Sequence, residues 1–338
     1  MYKVYVSDHV FENLEPEQAI LNEVGAQIIS LECKSNVDLI EKAKDADALL
    51  TTYLPSINAD VMDAMKNLKV IVRYGIGVNT IDLDAATKRG IQVANVPDYC
   101  LQEVSDHAVA LTLDMIRKVT MSCNRIKQQG EYDLVYLKPI ITLQNADISI
   151  IGFGRIGRLI AQKLAGFGCR LYFYDPYVNE EIVDISVNLN NNGSYVKKVK
   201  FEEALAISDV IILQAPSTKE NYHMLDERAF GLMKKKPYII NTARGELIDN
   251  QALVNALKEG IISGAALDVV EGMPPVKKDD ELLKFENVIL TPHSAWFSEN
   301  ALVQLQKSAA MEVLCALKGE WVKSLVNPEV KNVIYKNA

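Results

Sequence analysis

The feature that most constrains this chain is a run of three glycines at fixed spacing, Ile150-Ile-Gly-Phe-Gly-Arg-Ile-Gly157. Gly152, Gly154 and Gly157 follow an apolar stretch, residues 147–151, and open a helical pattern reaching about residue 167. Each glycine has its own task in such a turn: reversing the chain, letting backbone approach a pyrophosphate closely, and packing helix on strand. The amides of Arg155, Ile156 and Gly157 at the helix start then face phosphate. A second strand pattern, residues 170–174, ends at Asp175, about 18 residues beyond Gly157, where an acid would meet ribose hydroxyls. An acid there repels a 2′-phosphate, so NAD is expected rather than NADP.

Such a turn belongs in a parallel sheet, and the sequence supplies the strands. Residues 147–151, 170–174, 209–214, 238–241, 264–266 and 288–290 read as strands separated by helical patterns. Ahead of them, strand patterns at 3–7, 27–31, 48–51, 69–74 and 91–94 alternate with helices at 15–23, 36–44, 60–65 and 84–89. Residues 101–129 read as one long helix closed by Gly130, and residues 298–317 as a second, ended by Gly319. Residues 188–194 are polar and turn-rich, as in an exposed loop. The expected fold is α/β in two domains, with a Rossmann-type coenzyme domain (residues 100–298) inserted into a flavodoxin-like substrate domain (residues 1–99 and 299–338).

Charge and cysteines narrow the class. The 36 Lys+Arg against 44 Asp+Glu leave a net charge of −8, with no basic run, so nucleic acid is not an expected partner. No apolar run is long enough to cross a bilayer and no signal peptide is read, so no membrane partner is expected. Cys33, Cys100, Cys123, Cys169 and Cys315 are scattered without metal-ligand spacing. They are expected to be reduced thiols of a cytoplasmic enzyme that holds no metal.

Three polar signals follow strand patterns in the second half: Asn241-Thr-Ala-Arg-Gly245, Ala266-Leu-Asp-Val-Val-Glu271 and Leu290-Thr-Pro-His-Ser-Ala-Trp296. Strand ends on one edge of an open parallel sheet build the ligand crevice. Arg244, Asp268, Glu271 and His293 are therefore candidates for one site. Oxidation of a 2-hydroxy acid sends a hydride to nicotinamide and releases a hydroxyl proton, which histidine accepts near neutral pH. A carboxylate on the other ring nitrogen, here Glu271, orients that imidazole. A planar guanidinium, here Arg244, binds the substrate carboxylate with two hydrogen bonds. His9, His107 and His223 lack a motif and are expected to be structural, His107 packing between domains.

Together with Arg73-Tyr-Gly-Ile-Gly-Val-Asn-Thr-Ile-Asp82 and Asn95-Val-Pro-Asp-Tyr99, these stretches resemble the D-isomer-specific 2-hydroxyacid dehydrogenases. The stretch Pro292-His-Ser-Ala-Trp-Phe-Ser-Glu299 is most similar to the C-terminal-binding-protein branch. The resemblance implies a catalytic set of Arg244, Glu271 and His293. It implies that the loop of Gly75, Ile76 and Gly77 holds the substrate carboxylate by its amides, with Tyr74, Tyr99 and Trp296 shaping the pocket. Coenzyme would be lined by Arg155, Ile156, Ala215, Pro216, Asn221, Thr242, Ala243 and Arg244, with Asp268 on the nicotinamide amide. A homodimer through the coenzyme domain is implied in the same way. Gln214 stands where many members have His, and Asn79-Thr80 where Asp-Asn is usual. Two alternatives stand beside the general keto acid reductase: a D-3-phosphoglycerate dehydrogenase, and an NAD(H)-sensing corepressor-like binding protein.

Overall fold

The computed structural model describes residues 1–186, 194–272 and 277–337. The loop expected at 188–194 lies outside the described residues but for Ser194. Contacts divide the chain into two compact units, residues 1–100 with 297–338, and residues 101–296. In chain order the helices are α1 (Glu15–Leu21), α2 (Asn36–Lys42), α3 (Ala59–Ala64), α4 (Leu83–Lys88), α5 (Leu101–Arg117), α6 (Val119–Gln129), α7 (Arg155–Ala165), α8 (Phe201–Ile207), α9 (Glu227–Gly231), α10 (Asn250–Lys258), α11 (Glu299–Leu317) and α12 (Val330–Asn337).

In the first unit, β1 (Lys3–Val6), β2 (Gln27–Ser30), β3 (Ala48–Thr51), β4 (Val70–Arg73) and β5 (Gln92–Ala94) form a parallel sheet in the order β2-β1-β3-β4-β5. This is the flavodoxin-like order. The central strands β3 and β4 are buried throughout, which is why they read as unbroken apolar runs rather than alternations. Helices start where the sequence supplies caps: Ser35, Asn58 and Asp82 accept the amides of Asp38, Val61 and Ala85. Ser298 does the same for α11 through Ala301. Ala309, Ala310, Val313 and Leu314 of α11 join Val4, Val6, Leu50, Val70 and Val72 in one core cluster.

The second unit holds β6 (Asp147–Ile151), β7 (Arg170–Tyr174), β8 (Ile182–Asp184), β9 (Tyr195–Lys198), β10 (Val210–Leu213), β11 (Tyr238–Asn241), β12 (Gly264–Leu267) and β13 (Val288–Leu290). Their order is β13-β12-β11-β10-β6-β7-β9-β8, all parallel but for the antiparallel pair of β8 with β9. The direction of winding reverses at β6, which pairs with β7 on one side and β10 on the other. Ligands of doubly wound sheets bind beyond the carboxyl end of the strand at that reversal. The hairpin of β8 and β9 is absent from the sequence-based expectation.

The single helix expected over 101–129 is two. Lys118 takes a left-handed conformation, φ 54°, between α5 and α6. The Asp114 carboxylate accepts the amide of Thr120 at 2.8 Å and its hydroxyl at 2.5 Å. Asp114 thereby satisfies a donor that the broken helix would otherwise leave without a partner.

Candidate active site

The glycine turn closes the carboxyl end of β6, and the structure separates the three expected tasks. Gly152 has φ +98°, and a Cβ there would meet Gln214 and Ala215 backbone at 2.6 Å. A Cβ on Gly157 would lie 2.4 Å from the Gly152 carbonyl oxygen. Gly154 has nothing within 4 Å of where its Cβ would be, so this side of the backbone is open to a ligand. Gly154 is the N-cap of α7, whose first turn carries no acid to compete with phosphate. Ile156 packs on the core below. Asp175 Oδ2 accepts the Phe153 amide at 2.8 Å and Oδ1 the Tyr177 amide at 2.8 Å, fixing the acid beside the turn. The residues present fit a dinucleotide.

The next three strands carry the polar loops, and β-type pairing continues past their ends. Asn241 pairs with Leu267 in register, and Leu267 with Leu290. Beyond them, Asp268 donates its amide to the Asn241 carbonyl at 2.9 Å, Thr291 to Leu267 at 3.0 Å, and His293 to Asp268 at 3.0 Å. Arg244, Glu271 and His293 are thus on loops leaving one edge of one sheet. Asn241 shapes the first loop, its side chain accepting the Ala243 amide and donating to the Arg244 carbonyl. Arg244 Nη1 donates to the Ala243 carbonyl at 2.7 Å. Thr242 donates its hydroxyl to Gln214 Oε1 at 2.9 Å, so the unusual Gln214 ties β10 to β11.

Asp268 is 1% exposed. Its Oδ1 accepts the Thr291 hydroxyl at 2.5 Å and the Ser294 amide at 2.8 Å; its Oδ2 accepts the Ala295 amide at 3.0 Å. This carboxylate holds the loop that carries His293, a role the sequence did not suggest. His293 itself has φ 52°, left-handed and uncommon away from glycine. His107 reaches the same hub, with Nε2 3.1 Å from Thr291 Oγ1 and 3.7 Å from Asp268 Oδ1. His107 bonds within the second unit, to which α5 belongs.

Glu271 accepts from two neighbours that sequence reasoning left aside, Tyr222 and His223. Gly245 matters as well: a Cβ there would lie 2.3 Å from Val270 C and 2.4 Å from Glu271 N. Only glycine lets the Arg244 loop lie this close to the Glu271 loop. Ala215 is half-buried, Pro216 exposed and Trp296 half-buried. Asn221 closes its own loop, accepting the Thr218 amide and donating to the Pro216 carbonyl, both at 2.7 Å.

In the first unit the loop of Gly75, Ile76 and Gly77 follows β4. Asn95 Nδ2 donates to the Ile76 carbonyl at 2.7 Å, and the Val96 amide to Gly75 at 2.9 Å. Tyr74 follows the last residue of β4. Its side chain points into the core, 4% exposed, edge-on to Phe11, with its hydroxyl donating to buried Glu17 at 2.7 Å. Tyr99 packs against the same core, and burial pushes its hydroxyl well above the usual tyrosine range. Arg73, quoted in the motif but given no role, is 4% exposed and lies over the Tyr53 ring at 4.4 Å. Among the described residues no His, Cys, Asp and Glu group is placed to hold a metal ion.

A glycine turn at the winding reversal and an acid beside it define a dinucleotide-binding oxidoreductase scaffold. Residues 109–295 match the family described as D-isomer specific 2-hydroxyacid dehydrogenase, NAD binding domain. The chain belongs to the D-isomer-specific 2-hydroxyacid dehydrogenases, NAD-dependent oxidoreductases acting on a CH–OH group. It is 36% identical to a glyoxylate reductase of Thermofilum pendens over 98% of this chain and 96% of that one. It is also 36% identical to a D-3-phosphoglycerate dehydrogenase of Methanocaldococcus jannaschii, covering 97% of this chain but 60% of that longer one. Among solved structures it is similar to the D-lactate dehydrogenase of Aquifex aeolicus complexed with NAD and lactic acid, at 28% identity, TM-score 0.79 and coverage of 94% and 96%.

Proposed function

We propose that the chain reduces a small 2-keto acid of the glyoxylate, hydroxypyruvate or pyruvate type to the D-2-hydroxy acid, with Arg244, Glu271 and His293 as its catalytic set. The observation that carries this reading is the continued pairing beyond β11, β12 and β13, which delivers those three residues to one edge of the sheet. Bound NADH supplies the hydride. Arg244 grips the substrate carboxylate through two parallel hydrogen bonds. The His293 imidazole gives its proton to the carbonyl oxygen, or takes it back in the reverse direction, and Glu271 steadies the ring. Trp296 borders the substrate. Asp268 serves the nicotinamide amide.

The test is NADH oxidation by the purified chain against glyoxylate, hydroxypyruvate, pyruvate, 2-ketoisocaproate and phosphohydroxypyruvate, with NADPH as control. Turnover of one of the first three with D-product supports the reading. Preference for phosphohydroxypyruvate would reassign the chain as a D-3-phosphoglycerate dehydrogenase. Tight NADH binding with no turnover would leave a coenzyme-sensing role instead.

The same reading includes a homodimer and a cytoplasmic setting. Val119, Tyr132, Leu134 and Val135 are at least 60% exposed within one short stretch of the second unit, as at an association surface. Light scattering on Leu134→Asp with Val135→Asp would show monomer where the parent is dimer. None of the five cysteines is joined in a disulfide, which fits a reducing compartment.

A further inference from the structure

Tyr222 and His223 lie between β10 and α9, on a segment anchored to the stretch just after Arg244. The His223 amide donates to the Glu246 carbonyl at 2.9 Å, Leu225 to Leu247 at 3.0 Å, and Asp249 to Leu225 at 3.1 Å. From that anchorage His223 Nε2 lies 2.9 Å from both carboxylate oxygens of Glu271, and the Tyr222 hydroxyl donates to Oε1 at 2.7 Å. The two rings stack with centroids 3.9 Å apart. Behind them, His223 Nδ1 faces Asp249 Oδ2 at 3.5 Å. The Glu271 carbonyl accepts Asn250 Nδ2 at 3.3 Å. His223 also has a left-handed backbone, φ 52°.

The His223–Glu271 contact adds little stability of its own. The side chains of His223 and Glu271 are 26% and 25% exposed, and a partly solvated ion pair contributes only about 0.2–1 kcal/mol. A left-handed residue costs on the order of 1–3 kcal/mol, at least as much. The arrangement is better explained by what it does to one carboxylate. We propose that His223 and Tyr222 are a positioning pair for Glu271. They engage Oε1 twice and fix the carboxylate plane, so that Oε2 presents its remaining lone pair to the His293 imidazole. Asp249 holds the His223 ring from behind. The inference rests on the role proposed above for Glu271 and His293.

Two measurements on the full chain test it. In steady-state kinetics His223→Phe is expected to lower kcat about 10- to 100-fold with the NADH KM moved less than about twofold. His223→Gln, which keeps a donor, should recover most of the loss, and Tyr222→Phe should show a smaller drop. In the second, the hydrogen-bonded imidazole N–H protons of 15N-histidine-labelled protein are followed by NMR and assigned with His223→Gln and His293→Asn. Glu271→Gln should move both the His223 and the His293 signals, and His223→Phe should move that of His293. A His293 signal indifferent to His223→Phe overturns the proposal, as does an unchanged kcat. If the parent protein turns over no keto acid, the substrate reading fails while the NMR comparison still decides this one. Should His223→Phe not fold, Tyr222→Phe carries the same comparison.

Discussion

His293 shows how backbone conformation limits the choice of replacement at the position proposed to carry the proton. Its φ of 52° is tolerated by asparagine better than by glutamine. His293→Asn is therefore expected to keep the loop while removing the proton carrier. kcat should fall about 10²- to 10⁴-fold with NADH affinity unchanged by fluorescence titration; a kcat within tenfold of the parent would end the acid/base assignment. Arg244→Lys keeps the charge and loses the planar fork, so the keto acid KM should rise and kcat fall together in the same assay. Tyr74→Phe tests whether the tyrosine hydroxyl serves the core or the substrate. It leaves buried Glu17 with Gln306 as a remaining side-chain donor and should cost about 1–3 kcal/mol in urea unfolding. An altered substrate KM in that variant would return Tyr74 to the pocket.

At the scale of elements, the glycine turn makes opposite predictions at two positions three residues apart. Gly154→Ala places a methyl where the structure is open, so the melting temperature should hold while NADH affinity drops. Gly157→Ala drives a methyl to 2.4 Å from the Gly152 carbonyl, so folding itself should suffer, read as a lowered melting temperature without coenzyme. Equal melting temperatures for the two variants would contradict the division of tasks. The sequence made this turn and the central strands legible because strands buried on both faces are continuous apolar runs of the right length. It concealed the β8–β9 hairpin, whose strands are short and alternate at a sheet edge. The break at Lys118 was equally hidden, since neither Gly nor Pro marks it and its cap arises from Asp114 and Thr120. Within the proposed site, Arg244, Glu271 and His293 are proposed from their loops. The partners of Asp268 and Glu271 cannot be read that way, because they are joined across 23 to 49 residues by the sheet. Gly245 was visible as a letter, but its close approach to Val270 appears only in three dimensions.

Across the whole molecule, the principal ionic cluster of the second sheet sits at the opposite end of β6 from the glycine turn. Asp147 accepts Arg170 Nε at 2.6 Å, Arg170 Nη2 at 2.9 Å and Lys235 Nζ at 2.5 Å. The Arg170 hydrogen bonds lead in holding its carboxyl down at about 2. A carboxyl lowered on folding stabilises the folded state above its ordinary value of 3.8, and that contribution disappears as pH falls through about 2. Asp147→Asn should therefore cost about 2 kcal/mol at neutral pH, with the gap to the parent closing in denaturant melts below about pH 3. Its kcat should be unchanged, and a variant equally stable at pH 7 would refute the assignment.

The five residues of β6 put roughly 16 Å between that acid and the coenzyme turn. One ion-paired contribution to heat tolerance is consequently set at the opposite margin of the plate from coenzyme binding. A lineage entering a hotter habitat could reinforce the first without retuning the second.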